Sequence, residues 1–162
     1  MKFFKKFFKS ESKENKLVNN LYQLKKIEYP SKVILAWAES LKGNQEITNW
    51  LNNNNFKEII HANSAIKLNQ ESRDWLMSNG FPHLMAFINA AEGDENAQKW
   101  LIKYKFDLLF HLAKYIDGEQ ESTPWIQKNA TPEFIYLAKI IKNIKDKIEE
   151  NHNDIHTFRK DL

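Results

Sequence analysis

Histidines are the first residues of this chain whose chemistry and spacing could form a functional site. His152 and His156 are four residues apart, a spacing that places two imidazoles on one face of a helix, where they could bind a metal ion. Asp154, between them, falls on a different side of the helix, and the surrounding segment is polar. We therefore predict no metal site at these residues.

The other three histidines fit no shared set of metal ligands. His61 and His111 occupy the same position in two similar segments, but Ala86 stands at the equivalent position between them. Because packed helices lie about 8–10 Å apart, residues two segments apart are too distant to bind one metal ion. His83 follows Pro82 at the start of a predicted helix. We expect all five histidines of the chain to be surface residues.

Acidic residues form two small groups, each beside a glycine. Closely spaced carboxylates can act together in general acid–base catalysis. They are also expected at the start of a helix, where the helix dipole favours negative charge. Because both groups lie where new helices are predicted to begin, we interpret them as helix-start residues. The groups are Glu92, Asp94 and Glu95 beside Gly93, and Asp117, Glu119 and Glu121 beside Gly118.

No other pattern points to catalysis. The chain contains no cysteine, which excludes disulfides, thiolate nucleophiles and cysteine-bound metals and also fits a cytoplasmic location. It has no glycine-rich phosphate loop and no recognisable nucleophile motif. The sequence therefore predicts a protein that is not an enzyme and has no cofactor.

Tryptophans divide the chain into units of 25 residues. Each of four tryptophans is followed directly by Leu or Ile, and we expect both members of each pair on the buried face of a short helix. A unit of this length cannot bury its apolar faces alone, so neighbouring units must stack into one core. The pairs are Trp50–Leu51, Trp75–Leu76, Trp100–Leu101 and Trp125–Ile126.

Further apolar columns recur nine, ten, twelve and sixteen residues after each tryptophan position. These offsets lie on one face of an α-helix, so the second half of each unit is predicted to be a longer amphipathic helix. The columns are Ile34, Ile59, Leu84, Leu109 and Phe134; Leu35, Ile60, Met85, Phe110 and Ile135; Trp37, Ala62, Phe87, Leu112 and Leu137; and Leu41, Ile66, Ala91, Ile116 and Ile141.

Residues with special backbone roles mark the ends of the predicted helices. Three of the four glycines share one column, where glycine tolerates the left-handed conformation that closes a helix. The next column holds Asn or Asp in three units, both good N-caps, and Glu119 in the fourth, a poorer one. Pro82 and Pro132 fit the first turn of a long helix. The glycines are Gly43, Gly93 and Gly118, and the N-caps are Asn44, Asn69 and Asp94.

These signals predict an all-α protein, an α-solenoid of helix-turn-helix repeats with an N-terminal capping helix and an extended C-terminal helix. Residues 14–150 form the helical repeat domain, between a basic aromatic segment at 1–13 and a polar tail at 151–162 that we expect to be frayed. Apolar spacing over residues 140–148 predicts that the last helix is extended. The capping helix is marked by Leu17, Leu21, Leu24 and Ile27.

The unit resembles an ankyrin repeat in helix order over about residues 31–142. Ala90-Ala91-Glu92-Gly93 followed by Trp100-Leu101 is similar to the Ala-Ala…Gly…Leu-Leu pattern of that family, and residues 75–80 are similar to the end of its second helix. The period of 25 is shorter than the ankyrin period of about 33, and the Thr-Pro-Leu-His sequence and room for a β-hairpin finger are absent. The resemblance implies a finger-less, ankyrin-like protein for protein–protein recognition, without catalytic residues.

The first nine residues combine phenylalanine pairs with lysines. On a helical wheel the phenylalanines share one face and the lysines the other, a pattern typical of a helix at a membrane surface. This pattern supports an alternative function as a peripheral membrane adaptor. The phenylalanines could instead pack on the chain's own first helix or belong to a tail in solution. The residues that would dock on a membrane or a partner are Phe3, Phe4, Phe7, Phe8, Lys5 and Lys6.

Charge and hydropathy indicate which class of molecule the chain binds. The net charge is +3, but residues 1–16 hold six Lys and two Glu, so the rest of the chain sums to −1 and lacks the basic stripe of a nucleic-acid-binding solenoid. No apolar run approaches the roughly 20 residues of a transmembrane helix. We therefore expect a protein partner, with an anionic membrane surface as the alternative, no nucleic acid and no small-molecule substrate. The expected contacts are positions without a packing role in the apolar columns: Asn52, Asn54, Met77, Ser78, Lys103, Tyr104, Gln127 and Lys128.

Overall fold

The computed structural model describes the backbone of residues 28–158 and the side chains of residues 28–152. All secondary structure in that range is helical, which confirms the predicted all-α class. A 3₁₀ turn, Gln120–Ser122, precedes the eighth α-helix of the described range. The α-helices are α1 Ser31–Leu41, α2 Gln45–Asn53, α3 Lys57–Ile66, α4 Gln70–Ser78, α5 Pro82–Ala91, α6 Glu95–Lys103, α7 Asp107–Ile116, α8 Thr123–Asn129 and α9 Pro132–Phe158.

Odd- and even-numbered helices play different parts in the packing. The odd helices contact one another in chain order, from α1 to α9. The even helices α2, α4 and α6 pack mainly against the two helices that flank them in the chain, and α8 packs mainly against α7. The middle odd helix, α5, has eight of its ten residues buried, whereas α2 buries only Leu51. The odd helices therefore supply most of the core, and the even helices cover it.

The core follows the predicted columns closely in the odd helices. The column that begins at Trp37 is at most 2% exposed in all five units, and the column that begins at Leu41 is at most 6% exposed. The even-numbered helices α2, α4, α6 and α8 are the short helices of the units. In them, Leu51, Leu76 and Leu101 are completely buried and Ile126 is 4% exposed. Because a fully buried Leu or Ile contributes about 1.5–3 kcal/mol, these positions account for much of the favourable free energy of folding.

Two expectations about the core are wrong in part. Leu35 is 41% exposed, although its column was predicted to face inward. Of the four tryptophans in the repeating pairs, only Trp100 is buried, and the other three are half-buried. The reason is geometric, because adjacent helical residues point about 100° apart, so the Leu of each pair takes the inward direction. In three units the Trp turns aside and stacks on the Phe six residues later, as for Trp75 and Phe81, whose ring centroids are 6.1 Å apart. Trp125 stacks on His111 instead.

Left-handed backbone residues recur with the period of the sequence. Gly43, Gly93 and Gly118 have φ between +84° and +96°, and Leu68 occupies the same column with φ +69°. A second column, at the end of the short helices, contains Asn55, Gly80 and Lys105 with φ between +60° and +91°. Each left-handed residue closes a helix and reverses the chain. Residues with positive φ therefore recur every 25 positions, as the tryptophans do.

The predicted N-caps form the expected hydrogen bonds. The side chain of Asn44 accepts from the backbone N–H of Ile47, and that of Asn69 accepts from Ser72. Asp94 caps α6 in the same manner. Glu119 makes no side-chain capping bond, and its unit begins with a 3₁₀ turn instead of an α-helix. A weaker cap therefore coincides with the one short helix whose first turn is irregular.

The last helix packs against the first described helix. An open stack would hold its two ends apart, but α9 contacts α1 as well as α7. The hydroxyl of Tyr136 on α9 donates to Oε1 of Glu39 on α1 at 2.8 Å and also accepts from Lys42 Nζ at 3.3 Å. The hydrogen bond from Tyr136 is the main cause that lowers the pKa of the Glu39 carboxyl. The odd helices therefore close into a ring of contacts.

The C-terminal helix is extended, as predicted, and continues to Phe158. The first eight residues of the segment expected to be a frayed polar tail are helical. The predicted capping helix at Leu17, Leu21, Leu24 and Ile27 lies outside the described residues.

Two substitutions at Leu68 separate backbone strain from side-chain contacts. Both Leu68→Gly and Leu68→Ala remove the same contacts, but only glycine adopts φ +69° without a steric cost. We expect Leu68→Gly to be more stable than Leu68→Ala by about 1 kcal/mol. Urea denaturation of the two variants measures the difference, and equal midpoints would show that the left-handed turn carries no strain.

Candidate functional site

The predicted partner contacts all lie at the ends of the short helices. They occupy the last turn or the residue after it in α2, α4, α6 and α8, so the structure places them at equivalent positions in successive units. Six of the eight are exposed, and Met77 and Tyr104 are half-buried against the core. We name this set, with Ile102, the short-helix ridge.

Several ridge residues also have structural roles that the sequence did not reveal. The amide of Asn54 donates to the carbonyl of Trp50 at 2.8 Å, which closes the end of α2. Ser78 donates to the carbonyl of Asp74 at 2.8 Å. Tyr104 lies against Trp100 with ring centroids 4.7 Å apart. The expectation that these positions have no packing role is therefore wrong for Met77 and Tyr104, whereas Asn54 and Ser78 are exposed and form hydrogen bonds only with their own helices.

Ile102 is the ridge residue that sequence reasoning missed. It is 53% exposed, more than Leu35 or Leu68, the other exposed large apolar residues of the described part of the chain. It stands in the same column as Met77, in the next short helix. The signal was available, because Ile102 follows the buried Leu101 and must point away from the core. The centre of the ridge therefore carries neighbouring apolar positions.

Histidine, serine and tryptophan form a repeated structural cluster. His61 on α3 stacks on Trp75 with ring centroids 4.0 Å apart, and its Nδ1 lies 3.2 Å from Oγ of Ser72. The serine is only 6% exposed, so its hydroxyl is not accessible as a nucleophile. Burial is the main cause that lowers the pKa of the histidine in each cluster. The cluster links a long helix to the next short one. The second copy is His111, Ser122 and Trp125.

His83 is buried, contrary to the expectation that it lies on the surface. It is 1% exposed and stacks on Phe106 with ring centroids 5.4 Å apart, with Phe81 on another side at 6.1 Å. Its Nδ1 has no hydrogen-bond partner among the described residues. Burial lowers the pKa of His83 to about 4, so the folded protein holds this side chain neutral. It is a core residue.

A pocket of about 160 Å³ lies where the long helices α3, α5 and α7 end. The extension of α9 beyond Ile141 forms another wall. Apart from Glu92, Lys145 and Glu149, its lining is apolar, with Leu68, Phe87, Ala91 and five isoleucines. The isoleucines are Ile66, Ile88, Ile116, Ile141 and Ile148.

Ion pairs hold the wall and rim of this pocket in place. Arg73 donates to the carbonyl oxygen of Ala65 from two nitrogens, at 3.2 and 3.0 Å, and pairs with Glu92, which ties the end of α3 to the end of α5. Lys145 Nζ lies 2.7 Å from Asp117 and 3.4 Å from Glu149. Burial opposes the charge on Lys145, but these carboxylates outweigh it and raise the pKa of the amine. The pocket is therefore an apolar site with a charged rim.

The docking residues Phe3, Phe4, Phe7, Phe8, Lys5 and Lys6 lie outside the described residues. Within residues 28–152, no group of three or more His, Asp or Glu side chains is arranged to hold a metal ion. Among the described helices, none is long and apolar enough to cross a membrane.

Comparisons with protein-family models, with curated proteins and with solved structures found no match for this chain.

The buried His83 makes stability depend on pH. Its pKa is about 4 in the folded chain against about 6.5 when unfolded, so between these values the unfolded state binds more protons. The stabilisation from neutral His83 is complete above pH 6.5 and is lost as the pH falls toward 4. The loss at pH 5 is about 2 kcal/mol relative to pH 8.

Urea denaturation of the wild type and His83→Leu at pH 8 and pH 5 tests this dependence. His61 and His111 titrate in the same direction in both proteins, so the difference between the two pH profiles isolates His83. Parallel profiles would contradict the buried neutral histidine.

Proposed function

We propose that this chain is a non-catalytic helical-repeat protein of the α-solenoid type, closed by its last helix, that binds a protein partner through the short-helix ridge. The exposure of Ile102 carries this proposal. The 25-residue recurrence of tryptophans and left-handed turns supports the repeat assignment, including its ankyrin-like order of short and long helices. A cytoplasmic location and a role as a scaffold belong to the same proposal.

The polarity of the ridge is that of a small protein interface. Protein interfaces commonly have an apolar centre that becomes fully buried and a polar rim that stays solvated. The column two residues after each tryptophan contains half-buried Met77 and exposed Ile102 in the two central units and polar residues in the two outer ones. The outer residues are Asn52 and Gln127, both exposed. A partner would bury Met77 and Ile102 and leave Asn52 and Gln127 exposed to solvent.

Charge around the centre indicates the chemistry of the partner surface. Lys103 and Lys105 flank Tyr104, and all three follow directly after Ile102. Lys103 Nζ lies 5.6 Å from the centre of the Tyr104 ring, and both lysines are exposed. Rim charges of this kind steer association with a surface of opposite sign. The proposed partner therefore presents an apolar side chain bordered by carboxylates.

Ile102→Glu tests the ridge. The substitution places a carboxylate at the centre of the apolar patch, and we expect partner affinity to fall by at least about 2 kcal/mol, roughly thirtyfold. Because Ile102 is 53% exposed, the free energy of unfolding should change by less than about 0.5 kcal/mol. Quantitative affinity purification identifies the proteins held by wild type, and titration of the purified partner gives the affinities.

Asn96→Glu is the matched control. It adds the same charge to the same helix, at an exposed position in the first turn of α6, away from the ridge. A partner that binds through the ridge is retained by Asn96→Glu and lost by Ile102→Glu. Equal binding to both variants would remove the ridge as the binding surface.

A further inference from the structure

The pocket at the ends of α3, α5 and α7 has the size and lining of a site for one aromatic ring. Its volume is about 160 Å³, and its walls are mainly isoleucine, Leu68 and Phe87. A closed apolar cavity of about 150 Å³ in a protein accepts benzene, and this pocket, which is partly open to solvent, has a similar volume. One phenylalanine side chain therefore matches the space.

Leu68 makes this pocket more apolar at a cost to the fold. In the three equivalent turns the left-handed residue is glycine, whereas here it is a leucine with φ +69° that is 48% exposed. Left-handed backbone is unfavourable for any residue with a Cβ, and an exposed leucine gains little from burial. Strain of this kind is often found at positions whose side chain has a functional use. The side chain of Leu68 lines the pocket.

The rim of the pocket is suited to a cation next to the ring. Its charged lining residues are Glu92, Glu149 and Lys145, and together with Arg73 and Asp117, which form ion pairs with them, the five charges sum to −1. The C-terminal ends of α3, α5 and α7 meet at the same place, and each contributes partial negative charge from its helix dipole. Glu149 projects into solvent, with 60% of its side chain exposed. An apolar ring flanked by ammonium groups is the complementary ligand.

We propose that the pocket binds a phenylalanine ring of the chain's own residues 1–9, with neighbouring lysines paired to the carboxylates of the rim. That segment holds Phe3, Phe4, Phe7 and Phe8 and four lysines, so it supplies both the ring and the positive charge. The inference is independent of the short-helix ridge, which lies on other helices.

The chain between the segment and the described fold is long enough to reach. The pocket lies at the C-terminal ends of the long helices, whereas residue 28 precedes the N-terminal end of α1, about 16 Å away along the helix axis. Residues 10–27 span up to about 60 Å when extended, and still about 40 Å if residues 17–27 are helical. Either length allows Phe7 or Phe8 to enter the pocket.

Isoleucine methyl NMR of the full chain tests the docking. An aromatic ring in the pocket shifts nearby methyl resonances upfield, and five pocket isoleucines report on it while Ile102 serves as an internal reference. The comparison is between wild type and a full-length variant in which all four phenylalanines of the segment are replaced by serine. We expect upfield shifts at the pocket methyls of the wild type alone. Identical spectra would overturn the proposal.

A peptide of residues 1–10, titrated into the phenylalanine-to-serine chain, supplies affinities for pocket variants. Leu68→Gly relieves the strained turn and removes one wall, so it should weaken peptide binding about tenfold without a loss of thermal stability. Glu149→Lys should weaken binding and reduce its salt dependence, whereas Glu150→Lys, the same change at the neighbouring exposed residue, should not. Binding that is equal in all variants would overturn the proposal.

Anionic vesicles test whether residues 1–9 bind lipid instead of the pocket. If wild type binds vesicles through its phenylalanines and its pocket methyls match those of the serine variant even without vesicles, the segment is a membrane anchor and the docking proposal is wrong. If vesicles remove the upfield shifts that are present in solution, the segment exchanges between pocket and lipid, which supports docking.

Discussion

A left-handed residue after each of the first four long helices of the described range is the constraint on which the rest of this structure depends. It reverses the chain at residues 43, 68, 93 and 118, and the next residue caps the following helix in three of these turns. Because the spacing between turns is constant, each short helix presents its Leu or Ile to the long helices next to it. A shift of one residue in a turn would rotate that apolar residue by about 100° away from the core.

Local chemistry explains which parts of the fold could be read from the sequence. Glycines, N-caps and prolines act within a few residues, and their assignments hold, as do the columns that begin at Trp37 and Leu41. The burial of His83 could not be predicted from the sequence, because it depends on Phe106, a residue of another unit. The contact between Tyr136 and Glu39 joins residues 97 positions apart, and no local pattern encodes it. The exposed Ile102 was readable from its place after Leu101, and the pocket was not.

The two proposed binding surfaces draw on different parts of the unit. The ridge uses the ends of the short helices, where most side chains are exposed and only Met77 and Tyr104 also pack against the core. The pocket uses the ends of the long helices and exists because α9 continues past the level at which its predecessors stop. Arg73 and Lys145 hold its walls through ion pairs between different helices, so the site needs three successive units and the final helix together.

The closure of α9 onto α1 also bears on how such a chain can evolve and unfold. An array with free ends can gain or lose a unit at either end, and its units can separate one by one. In this chain a further 25 residues would displace α9 from α1, so the number of units is set by the need to close. Loss of the contact between α1 and α9 would expose one face of both helices at once. We therefore expect the described helices to unfold in one cooperative transition, with a fixed number of 25-residue units.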